Sequence, residues 1–144
     1  MFLLSERDTP VLLGLLVFLV VHSVYVGCFL TLGLHAPAWA TTGAVMTILG
    51  LVIAHSVLPS AQRQGGIPLA APVAAYMLAL GGMEVVAWGV GMWQIALGAT
   101  FFVISNTVLG INRWVRPLRY GPVAVIVAYH LAQGLFVAGV TGAA

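Results

Sequence analysis

The chain has 144 residues, of which 62% are hydrophobic and only 6% are charged. A water-soluble domain of this size needs far more polar surface, so the composition excludes a soluble enzyme or binding module and predicts an integral membrane protein. Five arginines and three acids give a net charge of +2, but the arginines flank apolar stretches, so no nucleic acid is expected as a partner.

The hydropathy pattern predicts an all-α polytopic bundle of five transmembrane helices in one domain covering residues 1–144. Each apolar segment is long enough to cross a hydrocarbon core, which takes about 20 residues. A secretory signal is disfavoured for the first segment because the residues before it have net negative charge and its apolar part is too long. The predicted spans are residues 11–33, 38–58, 67–88, 92–111 and 121–140.

Prolines and arginines organise the links between these spans. Pro59 is expected to end the second span because proline cannot continue helical hydrogen bonding. With these five spans, two spans separate the amino terminus from the Arg63 loop and two more separate that loop from the loop of residues 113–119. All three therefore lie on one side, which then holds all five arginines. The positive-inside rule predicts a cytoplasmic amino terminus. The compact size and the lack of a targeting segment suit a bacterial inner membrane.

Polar residues inside the spans are costly, so each either bonds a neighbouring helix or belongs to a site. His22 and Tyr25 share a face of the first span, three residues apart, and His130 and Gln133 share a face of the fifth span beside Tyr129.

The fourth span carries Ser105 and Asn106, and Asn106 lies seven residues before Arg113, on the side of the arginine loop. A polar pocket among spans one, two, four and five, open toward this loop, is expected to take a membrane lipid with an anionic head group. Glu84 lies near the opposite interface, where a solvated carboxylate is favoured over the alternative of a buried acid.

The alternative to a pocket is hydrogen bonding between helices, worth about 1 kcal/mol for each bond. We favour that role for Ser105, Gln133 and Tyr25, and both roles stay open for the remaining candidates, His22, Asn106 and His130. Metal-ligand spacing is absent, the single cysteine has no partner in the chain, and no phosphate loop or nucleophile elbow is present. No cofactor is therefore expected, and the oligomeric state is open.

Short motifs along most of the chain resemble those of the YhhN-like lysoplasmalogenase family. The matching pieces are Gly14–Phe18 followed by His22, Tyr25 and Phe29, then Gly98-Ala99, Phe102–Asn106, Gly110–Arg113 and Tyr129–Gln133. The resemblance implies a multispan hydrolase that cleaves the vinyl ether bond of a lysoplasmalogen into an aldehyde and a glycerophospho head group.

Two departures from the family pattern bear on activity. Family members usually carry further spans before this region that end in a Gly-Asp pair, and Met1 stands where the residue after that pair falls. Where the family has a second suspected acid, this chain has Asn106. An amide cannot protonate carbon.

If the chain is an enzyme, the resemblance implies catalytic roles for His22, Asn106 and His130. One of the histidines would supply or relay the proton, and Asn106 would orient water or a substrate oxygen. The resemblance implies lipid-binding roles for Arg113, which would hold the phosphate, and for Tyr25, Ser105, Tyr129 and Gln133. The competing interpretation is a noncatalytic lipid-binding or scaffolding membrane protein, or a fragment of a longer enzyme.

Overall fold

The computed structural model describes residues 9–142, which form a bundle of five α-helices without any strand. The expected all-α membrane bundle is confirmed. The helices are α1 (Thr9–Leu32), α2 (Ala40–Ile53), α3 (Val57–Val90), α4 (Trp93–Gly110) and α5 (Gly121–Gly142), with a 3₁₀ turn at Pro37–Trp39 and a π turn at Ile111–Val115.

Four helices in the described part are long and apolar enough to cross a membrane: α1, α3, α4 together with the π turn, and α5. The second predicted span is shorter than expected, because α2 has 14 residues and ends at Ile53 rather than at residue 58. At 1.5 Å per residue its length is about 21 Å. The 3₁₀ turn before it extends the apolar helical segment to Pro37–Ile53.

The segment expected to be the Arg63 loop is helical instead. Pro59 lies in the first turn of α3. Backbone N–H groups in the first turn have no carbonyl partner within the helix, so a proline there removes no helical hydrogen bond. The break comes later, at Gly66, whose φ of 66° and ψ of −163° interrupt the helix. Glycine adopts such a conformation without the steric cost that a Cβ imposes. The predicted third span therefore corresponds to the longer part of α3 after Gly66.

Helix α3 is central, since it packs against α1, α2 and α4, while α5 packs mainly on α4. One apolar core joins all helices except α2 around Phe29, Met83, Phe102 and Phe136. A second core lies at the end where α2 meets α3, and Trp114 of the π turn completes it.

The arginines of the described chain lie at one end of the bundle. The Gln64 side-chain amide, next to Arg63, donates a 3.0 Å hydrogen bond to the Trp114 carbonyl. This bond holds the first part of α3 against the segment that carries Arg113, Arg116 and Arg119. We call this the arginine end. Arg7 lies outside the described residues.

Candidate functional site

A cavity of about 270 Å³ lies between α1, α2, α3 and α4 and reaches from mid-bundle to the arginine end. Its wall is mostly hydrocarbon, so it favours an apolar chain over water. Thr47 and Gly81 close its floor, where the Thr47 hydroxyl donates to the Gly81 carbonyl at 3.3 Å. The apolar wall includes Leu15, Phe18, Leu51, Val73, Met77 and Leu80.

The polar part of the wall is centred on Tyr76 and Asn106. The Tyr76 hydroxyl donates a hydrogen bond to Asn106 Oδ1 across the α3–α4 interface. Asn106 Nδ2 donates to the Phe102 carbonyl at 2.8 Å, which fixes the orientation of the amide. The pair therefore presents an oriented phenol oxygen and an amide N–H beside an apolar cavity, a combination that can hold an ether oxygen or a water molecule.

Arg113 lines the mouth of the cavity on the π turn. Its guanidinium lies 4.7 Å from the centroid of the Trp114 ring, a cation–π distance. The Asn112 side-chain oxygen accepts the Leu118 N–H at 2.8 Å, which ties the following loop to the helix end. π turns recur at functional sites, and this one brings a cation to the opening of an apolar cavity.

His22 lies behind the polar wall rather than in it. The side chain is fully buried, and its ring packs edge-on against Tyr76 and Phe102 at centroid distances of 5.3 and 5.2 Å. His22 Nδ1 donates to the Phe18 carbonyl at 2.5 Å. The other ring nitrogen, Nε2, is buried and has no hydrogen-bond partner among the described residues.

The predicted set of helices around the pocket, spans one, two, four and five, is wrong in one member. The cavity uses α3 in place of α5, and of the predicted site residues it is lined by Asn106 and Arg113. Its phenol, Tyr76, was missed by sequence reasoning. The available signal was its position, as the only hydroxyl-bearing residue between Pro72 and Glu84 in a strongly apolar span.

Three other predicted residues bond neighbouring helices. The Tyr25 hydroxyl donates to Gln133 Oε1 at 2.7 Å and joins α1 to α5. The Ser105 hydroxyl donates to the Val125 carbonyl at 2.9 Å and joins α4 to α5. These bonds occupy the hydroxyls of Tyr25 and Ser105 and the side-chain oxygen of Gln133, whereas Gln133 Nε2 has no hydrogen-bond partner among the described residues. None of the three residues lines the cavity.

Both roles left open for His130, a place in the site or a hydrogen bond to a neighbouring helix, require its side chain to face the bundle interior, and it does not. His130 is exposed, and its Nδ1 donates to the Ile126 carbonyl of its own helix at 2.8 Å. The packed face of α5 carries Ala128, Ala132 and Phe136, which are four residues apart along the helix. A residue two positions along a helix from that stripe points about 200° away. Its neighbour Tyr129 packs on Phe102 at a centroid distance of 5.7 Å, away from the cavity wall.

The expected solvated position of Glu84 is also wrong, since its side chain is fully buried between α3 and α4. Glu84 Oε1 accepts hydrogen bonds from Thr100 Oγ1 at 2.7 Å and from Trp88 Nε1 at 3.1 Å. Oε2 has no partner among the described residues. The carboxyl group lies on the layer one helical turn beyond the cavity floor at Gly81, so it does not line the cavity.

Within the described chain, no group of three or more histidine, cysteine or acidic residues is arranged to hold a metal ion. Comparison with known proteins gives one family match. The family model described as the YhhN family matches residues 1–140. No curated protein and no solved structure matches the chain significantly.

Proposed function

Because the chain belongs to the YhhN family, we propose that it binds a lysoplasmalogen in the cavity and hydrolyses its vinyl ether bond slowly. The observation that carries this proposal is the order of groups along the cavity. A cation lies at the mouth, a phenol–amide pair lies in the wall, and a hydrocarbon-lined space extends to the floor. A single-chain phospholipid has the same order of charge, ether and alkenyl chain.

The apolar part of the cavity suits one hydrocarbon chain. Its volume of about 270 Å³ lies near the lower limit for small-molecule pockets, which run from about 300 to 1,000 Å³. A second acyl chain would therefore have to remain outside. Burial of the chain among side chains such as Leu15, Met77 and Leu80 supplies the binding energy, in proportion to the apolar area removed from water.

The polar part of the cavity suits a glycerophospho head group. Arg113 offers a planar cation that binds phosphate with paired hydrogen bonds. Asn106 lies seven residues earlier on the same helix, which is about 10 Å along its axis. With the phosphate at Arg113, the glycerol carbons extend toward the floor and bring the ether to the Tyr76–Asn106 pair.

The reaction adds one water across the vinyl ether. A proton joins the alkenyl carbon that is β to the ether oxygen, water attacks the adjacent carbon, and the resulting hemiacetal collapses to an aldehyde and the glycerol hydroxyl. Tyr76 and Asn106 are the groups proposed to orient the ether oxygen and the water. No acid among the described residues lines the cavity. General acids contribute about 10² to 10⁴ in rate, so hydrolysis is expected to be slow.

The test is aldehyde release from a purified lysoplasmalogen by the protein in detergent and in vesicles. The saturated ether analogue of the same head group and chain length is the matched control, since it should bind equally and release nothing. Time-dependent aldehyde above the protein-free rate supports the proposal. Failure of both lipids to bind would overturn it.

A second candidate function is lipid binding without catalysis, and the lack of a carboxyl group in the described cavity wall favours it specifically. Binding of both lipids at equal affinity, with no aldehyde from the vinyl ether form, would select this function. We further propose that the arginine end faces the cytoplasm of a bacterial inner membrane, supported by the clustering of arginines at one end.

A further inference from the structure

The cavity has an incomplete side wall between its two outer helices. Helix α1 packs on α3, and α2 packs on both α3 and α4, but α1 and α2 make no extensive contact with one another. Both nevertheless line the cavity, α1 through Gly14, Leu15 and Phe18 and α2 through Thr47, Gly50 and Leu51. A gap therefore separates two helices that border the same internal space.

Gly14 and Leu51 mark the two edges of this gap. A Cβ built on Gly14 meets no atom within 4 Å, so open space adjoins α1 at the cavity wall. Leu51 lines the cavity and is also 39% exposed, so the same side chain borders both the interior and the outside. Exposed residues beside the gap are apolar, for example Val17 and Ile48. The gap therefore opens toward hydrocarbon rather than toward water.

Contacts close the walls on the other sides of α2. A Cβ on Gly50 would lie 3.2 Å from Val103 of α4, and a Cβ on Gly81 would lie 2.6 Å from Thr47. Near the arginine end, the close contact is between α4 and α3, where a Cβ on Gly110 would lie 3.4 Å from Val57. Leu109 beside it is exposed and also lines the cavity, so the α2–α4 side there is the rival route.

We propose that a single-chain lipid with an anionic head group reaches the cavity sideways from the bilayer through the gap between α1 and α2. This inference rests on the proposed function of the cavity. Lateral passage keeps the chain in hydrocarbon throughout and lets the phosphate move along the interface to Arg113. Passage through the arginine end would carry every methylene of the chain across a polar layer, which is unfavourable in proportion to the apolar area exposed.

The experiment closes the gap reversibly in the full chain. Gly14→Cys and Leu51→Cys are combined in a Cys28→Ser background and reconstituted in phosphatidylcholine vesicles. The two thiols are joined with a bis(methanethiosulfonate) crosslinker, which forms a disulfide with each cysteine, releases sulfinate and is cleaved by a reducing agent. Mass spectrometry verifies the linkage. The readout is photolabelling by a photoactivatable lysophospholipid added to the vesicles. A control pair, Ser23→Cys with Gly82→Cys, bridges the separate cleft between α1 and α3 beside His22.

Bridging residues 14 and 51 is expected to slow labelling by about tenfold or more, a change of about 1.4 kcal/mol in the barrier, and cleavage should restore it. Bridging after loading should retain the lipid when empty vesicles are added. Bridging the control pair should change neither the rate of labelling nor the retention of loaded lipid. A second test is Gly14→Leu, expected to slow labelling, against Gly27→Leu on the same helix, where a Cβ also meets nothing but the cavity is absent.

Unchanged labelling with a verified 14–51 linkage would overturn entry between α1 and α2. The lipid would then have to enter beside Leu109 or through the arginine end. Failure of the reagent to join two residues that line one cavity would contradict the gap itself. Absence of labelling in the unmodified protein would instead overturn the proposed function, so the two failures are distinguishable.

Discussion

The hydroxyl of Tyr76 on α3 donates a hydrogen bond to the side-chain oxygen of Asn106 on α4, and both residues line the same cavity. The two residues are 30 positions apart in the chain. Their bond joins the central helix to the helix that carries Arg113, and it places two polar groups in an otherwise apolar wall. The chemistry proposed for the cavity depends on this pair.

Asn106→Asp is expected to raise vinyl ether hydrolysis by about tenfold or more, because a carboxylic acid in the wall can donate a proton and an amide cannot. Aldehyde release from lysoplasmalogen measures the change. The isosteric but apolar Asn106→Leu should show no increase, although it also removes the amide. An equal rate in the Asp and Leu variants would show that the position takes no part in proton transfer.

Tyr76→Phe is expected to lower thermal stability in detergent and to reduce aldehyde release. The substitution removes the donor to Asn106 Oδ1, and leaving a buried acceptor unpaired costs about 1 to 3 kcal/mol. Tyr120→Phe is the control, since Tyr120 is 67% exposed. A Tyr76→Phe protein as stable as the parent would show that the hydrogen bond contributes nothing to the packing of α3 on α4.

Arg113→Gln is expected to weaken lysophospholipid binding by about tenfold, since a charge-assisted contact to phosphate contributes about 1.5 to 3 kcal/mol. Arg119→Gln is the matched control, because this arginine lies at the same end and does not line the cavity. Binding is measured by titration with a fluorescent lysophospholipid at two salt concentrations. If both variants bind alike, the head group is held by the general positive charge of this end.

The two mid-span histidines are expected to behave differently. His22→Ala removes a fully buried ring that packs on Tyr76 and Phe102, and such a cavity costs about 2 kcal/mol or more. His130→Ala affects an exposed residue and should change stability by less than about 0.5 kcal/mol. Thermal unfolding in detergent separates them. Loss of lipid hydrolysis in His130→Ala without loss of stability would restore that residue to the site.

Reporter fusions at residue 62 and at the carboxyl terminus are expected to lie on opposite sides of the membrane. Residue 62 is in the first part of α3 at the arginine end, whereas α5 begins at that end and finishes at the other. The positive-inside rule predicts a cytoplasmic reporter at residue 62. Finding both reporters in one compartment would contradict the proposed topology.

Two polar residues with opposite orientations show what the sequence does not predict. Asn106 and His130 are both polar residues within apolar helices, and spacing alone treats them alike. Asn106 lies on the face of α4 that meets α3, whereas His130 points away from the face of α5 that packs on its neighbours. The rotation of each helix is set by side chains such as Ala128, Ala132 and Phe136, and polarity alone does not reveal it.

The sequence by itself determined the all-α membrane bundle, most of the helix positions and the collection of arginines at one end. These features follow from the length of apolar segments and the placement of charges, which act locally along the chain. Only the tertiary structure decided that α2 ends at Ile53, that the helix interruption in the Arg63 segment lies at Gly66 rather than at Pro59, and that Glu84 is buried against Thr100. It also decided that α1 and α2 border one cavity without packing together. Those outcomes depend on which helix faces meet, because packing between helices in a membrane is driven by close side-chain fit rather than by hydropathy.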